Sequence, residues 1–420
     1  MSYFIRKNIC EGVAFSSITD DRFKIGRQSV NMIVPLSRET AAANALLSCV
    51  LSRSSKKYPD FTALSRKLDS LYGAALYPSV KKVGEYQFIT IAASGLEDRF
   101  AFDGEAVSVE LARLLSSIIF EPDFENGRFK DENVEQERRQ LIENIDSEYN
   151  DKRFYAIKRC VENMCRNELY SIPREGSRED VEALTHEKLL SAWNNLLKNA
   201  QVEITMLGST PPDKALEGFA NYFGDMPRTP VSVDIRNIKP GEVRHITETE
   251  DLSQSKLVMG FRCYYSDDDK TALENSLMSA VLGGTPTSKL FANVREKQSL
   301  CYYCVSSVHN SKGIMIVDSG VETENIEKTE TAVIEQLDLL KRGNITDDEL
   351  ISAKLAVKNS LMSSLDSLAA MQGYYVGGIL RKNQLSPLEA AAAVDGISKE
   401  RIVELAQKVE LDTVFSLVGN

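Results

Sequence analysis

Histidine is the side chain most often used as a catalytic base or metal ligand near neutral pH, and this chain has three: His186, His245 and His309. His186 opens a helix-like stretch, LTHEKLL, on its surface. His245 lies in a stretch with Pro and Gly, and His309 follows Cys304 by five residues, which by itself makes no dyad. So few histidines exclude a His-rich metal site. Cys301 and Cys304 form a C-x-x-C, but zinc requires paired spacings and no second pair matches it. Cys160 and Cys165 fall on the apolar stripe of a helical pattern, where cysteine behaves as a small hydrophobe. All four thiols read as structural, with a redox role for Cys301 and Cys304 as the alternative. There is no G-x-S-x-G elbow. LGGTPTSKL (282–290) lacks the second glycine that a phosphate loop places before its lysine, here Lys289, and no G-x-G-x-x-G follows a strand, so nucleotide binding is not expected. Glu132, Glu135, Glu137 and Glu143 in KDENVEQERRQLIENI read as a solvated helix face with Glu–Arg pairs one turn apart.

The elements that would hold these residues come in two similar series. SVNMIVPL (29–36) is an apolar run followed by polar residues and a helical stretch ending at Val50-Leu51-Ser52. SKLVMGFRC (255–263) is followed in the same way by a stretch ending at Val281-Leu282-Gly283. Each series continues to a Ser-Leu pair, Ser70-Leu71 and Ser299-Leu300, and then to alternating sequence, YQFITIA (86–92) and YYCVSSV (302–308). Four matches in one order, at an offset of about 230 residues, indicate an internal duplication. Helical periodicity continues over 105–119, 154–169, 326–342 and 346–365. Thr346 followed by Glu349 is a capping box for the last of these. Strands mixed with long helices, without strict βαβ alternation, predict an α+β fold. Residues 224–255 carry Pro and Gly without a helical period. The expected organisation is therefore an N-terminal half 1–223, a linker 224–255 and a C-terminal half 256–420.

The 420 residues suit two or three domains. An apolar fraction of 43% supports sizeable cores. With 50 Lys+Arg against 61 Asp+Glu the net charge is −11, which argues against a duplex nucleic-acid binder. MSYFIRKNICEGV has no apolar signal-peptide region and no apolar stretch is long enough to span a bilayer. An odd number of cysteines, seven, suits a reducing compartment. The expectation is a cytoplasmic protein with no membrane and no nucleic-acid partner.

Taken together, SSKKYPDFTALSRKLDSLYGAAL (54–76), EQERRQLIENI (135–145) and LGGTPTSKLFANVREKQSLCYY (282–303) resemble the insulinase/pitrilysin-type zinc metallopeptidases, in their processing-peptidase branch. VEITMLGS (202–209), the GDMP turn (224–227) and LLKRGNITDDELISAKLAV (339–357) agree. The resemblance spans essentially the whole chain and implies two related α+β halves, each a mainly antiparallel sheet flanked by helices.

In active members of that family two histidines of H-x-x-E-H and a distant glutamate hold Zn²⁺, and the motif's glutamate is the general base. The corresponding positions here are Ala45 and Cys49 for the histidines and Ser48 for the base. Asn144 stands at the third ligand, one residue from Glu143, so at most one ligand survives. The resemblance therefore implies no zinc in this chain. It also implies that Arg295 and Tyr302, seven residues apart in VREKQSLCYY, match the Arg and Tyr with which the family binds the substrate carbonyl and its oxyanion. A chain with that pair but no zinc ligands is expected to be the non-catalytic subunit of a heterodimeric peptidase. A homologous zinc-bearing partner would supply the metal, and peptide or unfolded polypeptide would be the substrate. The alternative is a proteolytically inactive scaffold or peptide-binding protein of the same fold.

Overall fold

The computed structural model describes residues 3–223 and 227–419. Of the GDMP turn, Gly224, Asp225 and Met226 lie outside the described residues. The chain begins with β1 (Tyr3–Cys10), β2 (Val13–Thr19) and β3 (Ile25–Pro35), then α1 (Ala41–Leu51), α2 (Phe61–Ser70), β4 (Ala75–Val83) and β5 (Tyr86–Leu96). Next come α3 (Val107–Phe120), a small hairpin of β6 (Phe124–Glu125) and β7 (Arg128–Phe129), α4 (Asp131–Asn150) and α5 (Lys152–Met164). After these follow α6 (Arg178–Glu182), α7 (His186–Asn199), β8 (Gln201–Gly208) and α8 (Asp213–Phe223). The second series is β9 (Arg244–Glu250), β10 (Ser255–Arg262), α9 (Asp269–Ser279), and two π-wound segments, Ala280–Gly284 and Leu290–Lys297. It continues through β11 (Cys301–His309), β12 (Ile314–Val321), α10 (Ile326–Lys341), α11 (Asp347–Ser363), α12 (Leu368–Gly377), α13 (Pro387–Asp395), α14 (Lys399–Ala406) and β13 (Glu410–Gly419). The fold is α+β.

The duplication is visible in the sheets. The first has the order β1-β2-β8-β3-β5-β4 and the second β11-β12-β10-β13-β9. Read from the opposite end, the second order matches the first without β1. The single parallel pairing of each sheet, β2 with β8 and β9 with β13, falls in the same place. One correspondence read from sequence shifts by a strand. Tyr86–Leu96 pairs with β3 as β12 pairs with β10, so the counterpart of 302–308 is β4, not 86–92. Alternation is common to every half-buried strand, so it does not tell adjacent hairpin strands apart.

The chain forms two compact units, one of residues up to Ser147 with Ile172–Val233, the other of Glu148–Ser171 with the residues from Asp234 on. The expected boundaries therefore change in two ways. First, α5 leaves the N-terminal half. Its apolar stripe, Ala156, Cys160, Val161 and Met164, packs against Val258, Ile314, Ile316, Phe415 and Leu417 of the second sheet. A helix follows the surface that buries its stripe rather than its neighbours in sequence. Second, the expected linker is not all linker. Arg228 is buried, and Tyr86 Oη and the Val233 backbone exchange hydrogen bonds, which ties 227–233 to the first unit. His245 belongs to strand β9.

In the first unit, α1, α3 and α7 cover one sheet face, burying Val30, Met32, Ile89, Ile91, Val202 and Ile204. In the second, Leu257, Met259, Met315, Val317 and Val414 do the same beneath their own helices. The capping box at α11 is made in full, Thr346 accepting from the Glu349 amide and Glu349 from the Thr346 amide. No helix among the described residues is long and apolar enough to cross a membrane.

Candidate functional site

The sequence AAANALLSCVL winds as α1, and small residues let it lie close against its sheet. Ala45 is 2% exposed and part of the first core. Ser48 is buried, and its hydroxyl donates to the Ala45 carbonyl at 2.8 Å, so it is spent within the helix and its chemistry is that of a neutral alcohol. Cys49 is half-buried and lines a pocket of about 360 Å³ with Arg53, Phe61, Leu64, Pro78 and Glu137. Burial pushes the Cys49 thiol up, and the charges of Glu137 and Glu175 add to this against the Ser48 hydrogen bond and Arg53. A thiol held protonated is neither a nucleophile nor a good metal ligand.

The pocket does contain a carboxylate. Glu137 is 9% exposed, and Arg53, itself lying over the Phe61 ring at 4.8 Å, forms an ion pair with it. Glu137 thus departs from the solvated-face reading of α4, which holds for Glu135, paired one turn on with Arg138. Sequence reasoning missed the Arg53–Glu137 pair, because its members, one in the turn after α1 and one on α4, are far apart in the chain. Asn144 and Glu143 are exposed on α4, where Asn144 accepts from Gln140 at 3.3 Å. Among the described residues no three His, Cys, Asp or Glu side chains are grouped to hold a metal ion.

Arg295 and Tyr302 are brought together. Arg295 lies in the last turn of the π-wound segment Leu290–Lys297, a geometry often found at functional sites. The chain then turns through Ser299, which takes a left-handed φ of 51°, and Leu300 donates its amide back to the Val294 carbonyl at 3.2 Å. β11 begins at Cys301 as an outer strand of its sheet. Arg295, Glu296, Cys301, Tyr302, Glu322 and Asn325 line one pocket of about 430 Å³. Arg295 stacks on Phe291 at 4.5 Å and lies 3.6 Å from the Glu296 carboxylate. Tyr302 is 58% exposed and its hydroxyl donates to Glu322 Oε1 at 2.5 Å. That bond to a carboxylate pushes the phenol's pKa up, so Tyr302 remains protonated at neutral pH.

Sequence reasoning missed Glu322. The signal was available in the hairpin: once β11 is paired with β12, Cys301 faces Val321, and the following residues of both strands fall at the pocket. The histidines serve elsewhere. His186 pairs with Asp131, His245 with Glu330, and His309 with the Tyr170 hydroxyl, each at 2.9 Å. Lys289 is buried against Glu349 at 3.0 Å, a structural ion pair.

Comparison with known proteins places this geometry. The family model "Peptidase M16 inactive domain" matches residues 183–357. A Bacillus subtilis protein named probable inactive metalloprotease YmfF is 28% identical over 97% of this chain and 96% of its own. A conserved protein from Enterococcus faecalis superposes with a TM-score of 0.89 at 27% identity, each chain covered to 99%. The chain is thus similar to M16 proteins, inactive ones among them, over nearly its whole length. The M16 inactive domain from Pseudomonas fluorescens shares the fold, with a TM-score of 0.77 at 17% identity over 99% of this chain and 98% of that one. The three positions that the sequence resemblance assigns to H-x-x-E-H lie on α1, as a core alanine, a satisfied serine and a protonated thiol.

Proposed function

We propose that this M16-like chain is a proteolytically inactive subunit that supplies Arg295 and Tyr302 to substrate held at a zinc-bearing homologous partner. The observation that carries the reading is the asymmetry of the two pockets. One has no ligand set, and the other joins a guanidinium and a protonated phenol, the donors that suit a developing oxyanion. The name of the Bacillus relative, a probable inactive metalloprotease, supports the same view. Extended peptide is the fitting substrate. β4 and β11 are outer strands beside the two pockets, and an outer strand can accept a peptide as an added strand.

The test is to co-express the chain with a homologue that carries H-x-x-E-H and to assay peptide cleavage. The expected result is activity that requires both chains, with Arg295→Ala in this one lowering kcat/KM by roughly 10²–10³. Full activity of the homologue alone, indifferent to Arg295→Ala, would overturn the proposal. One observation favours the second reading, an inactive peptide-binding scaffold: the Tyr302 hydroxyl already donates to Glu322. On that reading peptide binds without turnover in any assembly, and Tyr302→Phe leaves binding unchanged.

A further inference from the structure

The seven cysteines form no disulfide, and their surroundings differ. Burial pushes up the thiols of Cys10, Cys49, Cys160 and Cys263. Cys301 is held below its ordinary value, first by the neighbouring Cys304 thiol and then by the positive charge of Arg295, against the effect of burial. The neighbouring Cys301 thiol and its own burial push Cys304 well up.

The backbone brings these two sulfurs to one side. In a regular strand, residues three apart point to opposite faces. A bulge between Cys301 and Tyr303 breaks the alternation, because an extra residue returns the side chains beyond it to the other face. Cys304, 1% exposed, is accordingly inside the second core, and Cys301 packs at the margin of the same core. From there Cys301 also lines the Arg295–Tyr302 pocket, which gives a small solute access to its sulfur while Cys304 stays covered. An accessible thiol beside a cation, with a second thiol behind it, is the arrangement of an attacking and a resolving cysteine.

We propose that Cys301 is a peroxide-reactive thiol and that Cys304 resolves it to a disulfide, with Tyr302 between them. In the first step the Cys301 thiolate attacks one oxygen of hydrogen peroxide. The O–O bond breaks, hydroxide leaves and is protonated to water, and Cys301 becomes a sulfenic acid, oxidised by two electrons as the peroxide is reduced. In the second step the Cys304 sulfur attacks the Cys301 sulfur, the S–O bond breaks, and the hydroxyl leaves as water with the Cys304 proton. A disulfide holds its Cα atoms about 4.4–6.8 Å apart, closer than residues three apart along an extended strand. Closing the bond therefore draws the bulge inward and moves Tyr302 away from Glu322.

The experiment uses the intact chain. Iodoacetamide at neutral pH is expected to alkylate Cys301 about tenfold faster than the partly exposed Cys10 and Cys49, following its larger thiolate fraction. Equimolar hydrogen peroxide, followed by peptide mapping, is expected to yield a Cys301–Cys304 disulfide. In Cys304→Ser the reaction should stop at a Cys301 sulfenic acid captured by dimedone. Because that variant alters a core position, the two wild-type measurements decide the matter if it does not fold. Equal alkylation of the three thiols, or peroxide treatment that leaves no Cys301–Cys304 disulfide in the wild-type chain, would overturn the proposal.

Discussion

β4 in the first unit and β11 in the second occupy the same place in their sheets, an outer strand next to a pocket, yet the two pockets carry different chemistry. Beside β4 the available groups are neutralised: Glu137 by Arg53, Ser48 by its own helix, Cys49 by burial. Beside β11 a guanidinium and a phenol remain accessible. The second faces of the two sheets differ as well. In the first sheet this face is polar, with the Ser29 and Thr205 hydroxyls 2.6 Å apart, Asn31 donating to Ser29 at 2.9 Å, and Thr90 donating to Asn31 at 2.8 Å. In the second sheet it is apolar and covered by α5. A duplicated frame keeps its strand order because the order is fixed by backbone pairing and one shared core pattern. Side chains outside that pattern are free to diverge.

The largest test of this contrast is on the second faces. Phe415→Ala, which empties a fully buried site under α5, should cost about 3–5 kcal/mol in denaturant unfolding. Thr205→Ala on the polar face should cost about 1–3 kcal/mol, the loss of one buried hydrogen-bond partner. Equal costs would mean that the two faces contribute alike.

Acid should then weaken the second unit. In the second, Glu168 and Asp412 are raised by burial but held below their ordinary values overall. Arg262 and Lys312 bind Glu168; Arg262, Thr413 and Arg244 bind Asp412. A depressed carboxylate contributes stability that is present above its unfolded pKa, about 4, and is lost as pH falls through the lower folded value. Stability should therefore decline below about pH 4, and Asp412→Asn should flatten that decline in a pH series of melting curves.

Smaller still is Arg295→Ala. Arg295 is partly exposed and its carboxylate contact is loose, so the change should move stability by no more than about 0.5 kcal/mol, leaving any effect on peptide as functional. The smallest expected effect is that of zinc. A folded site saturated at 100 times its Kd would add about 2.7 kcal/mol; here added zinc should leave the melting temperature where it was. A zinc-dependent rise would show that the β4 pocket has kept a metal site.

Much of this was legible in the sequence. The α+β class, the duplication and the helix cap at Thr346 follow from periodicity and local backbone chemistry, which act over a few residues. The nearness of Arg295 to Tyr302 was also readable, because only a turn separates them. What misled was equally local in origin. The alternation of 86–92 matched 302–308 because every half-buried strand alternates, and 154–169 was placed with the half that precedes it although its stripe buries against the other unit's sheet.

By itself, then, the sequence determined the fold class, the duplicated order of elements and the nearness of Arg295 to Tyr302. Only the tertiary structure decided which charges find each other. Arg53 meets Glu137, Tyr302 meets Glu322, and a bulge turns Cys301 and Cys304 to one side. The reason is physical. Identity at a position is a property of the chain, but burial, pairing and pKa depend on neighbours that are supplied by strand register and helix packing from distant parts of it.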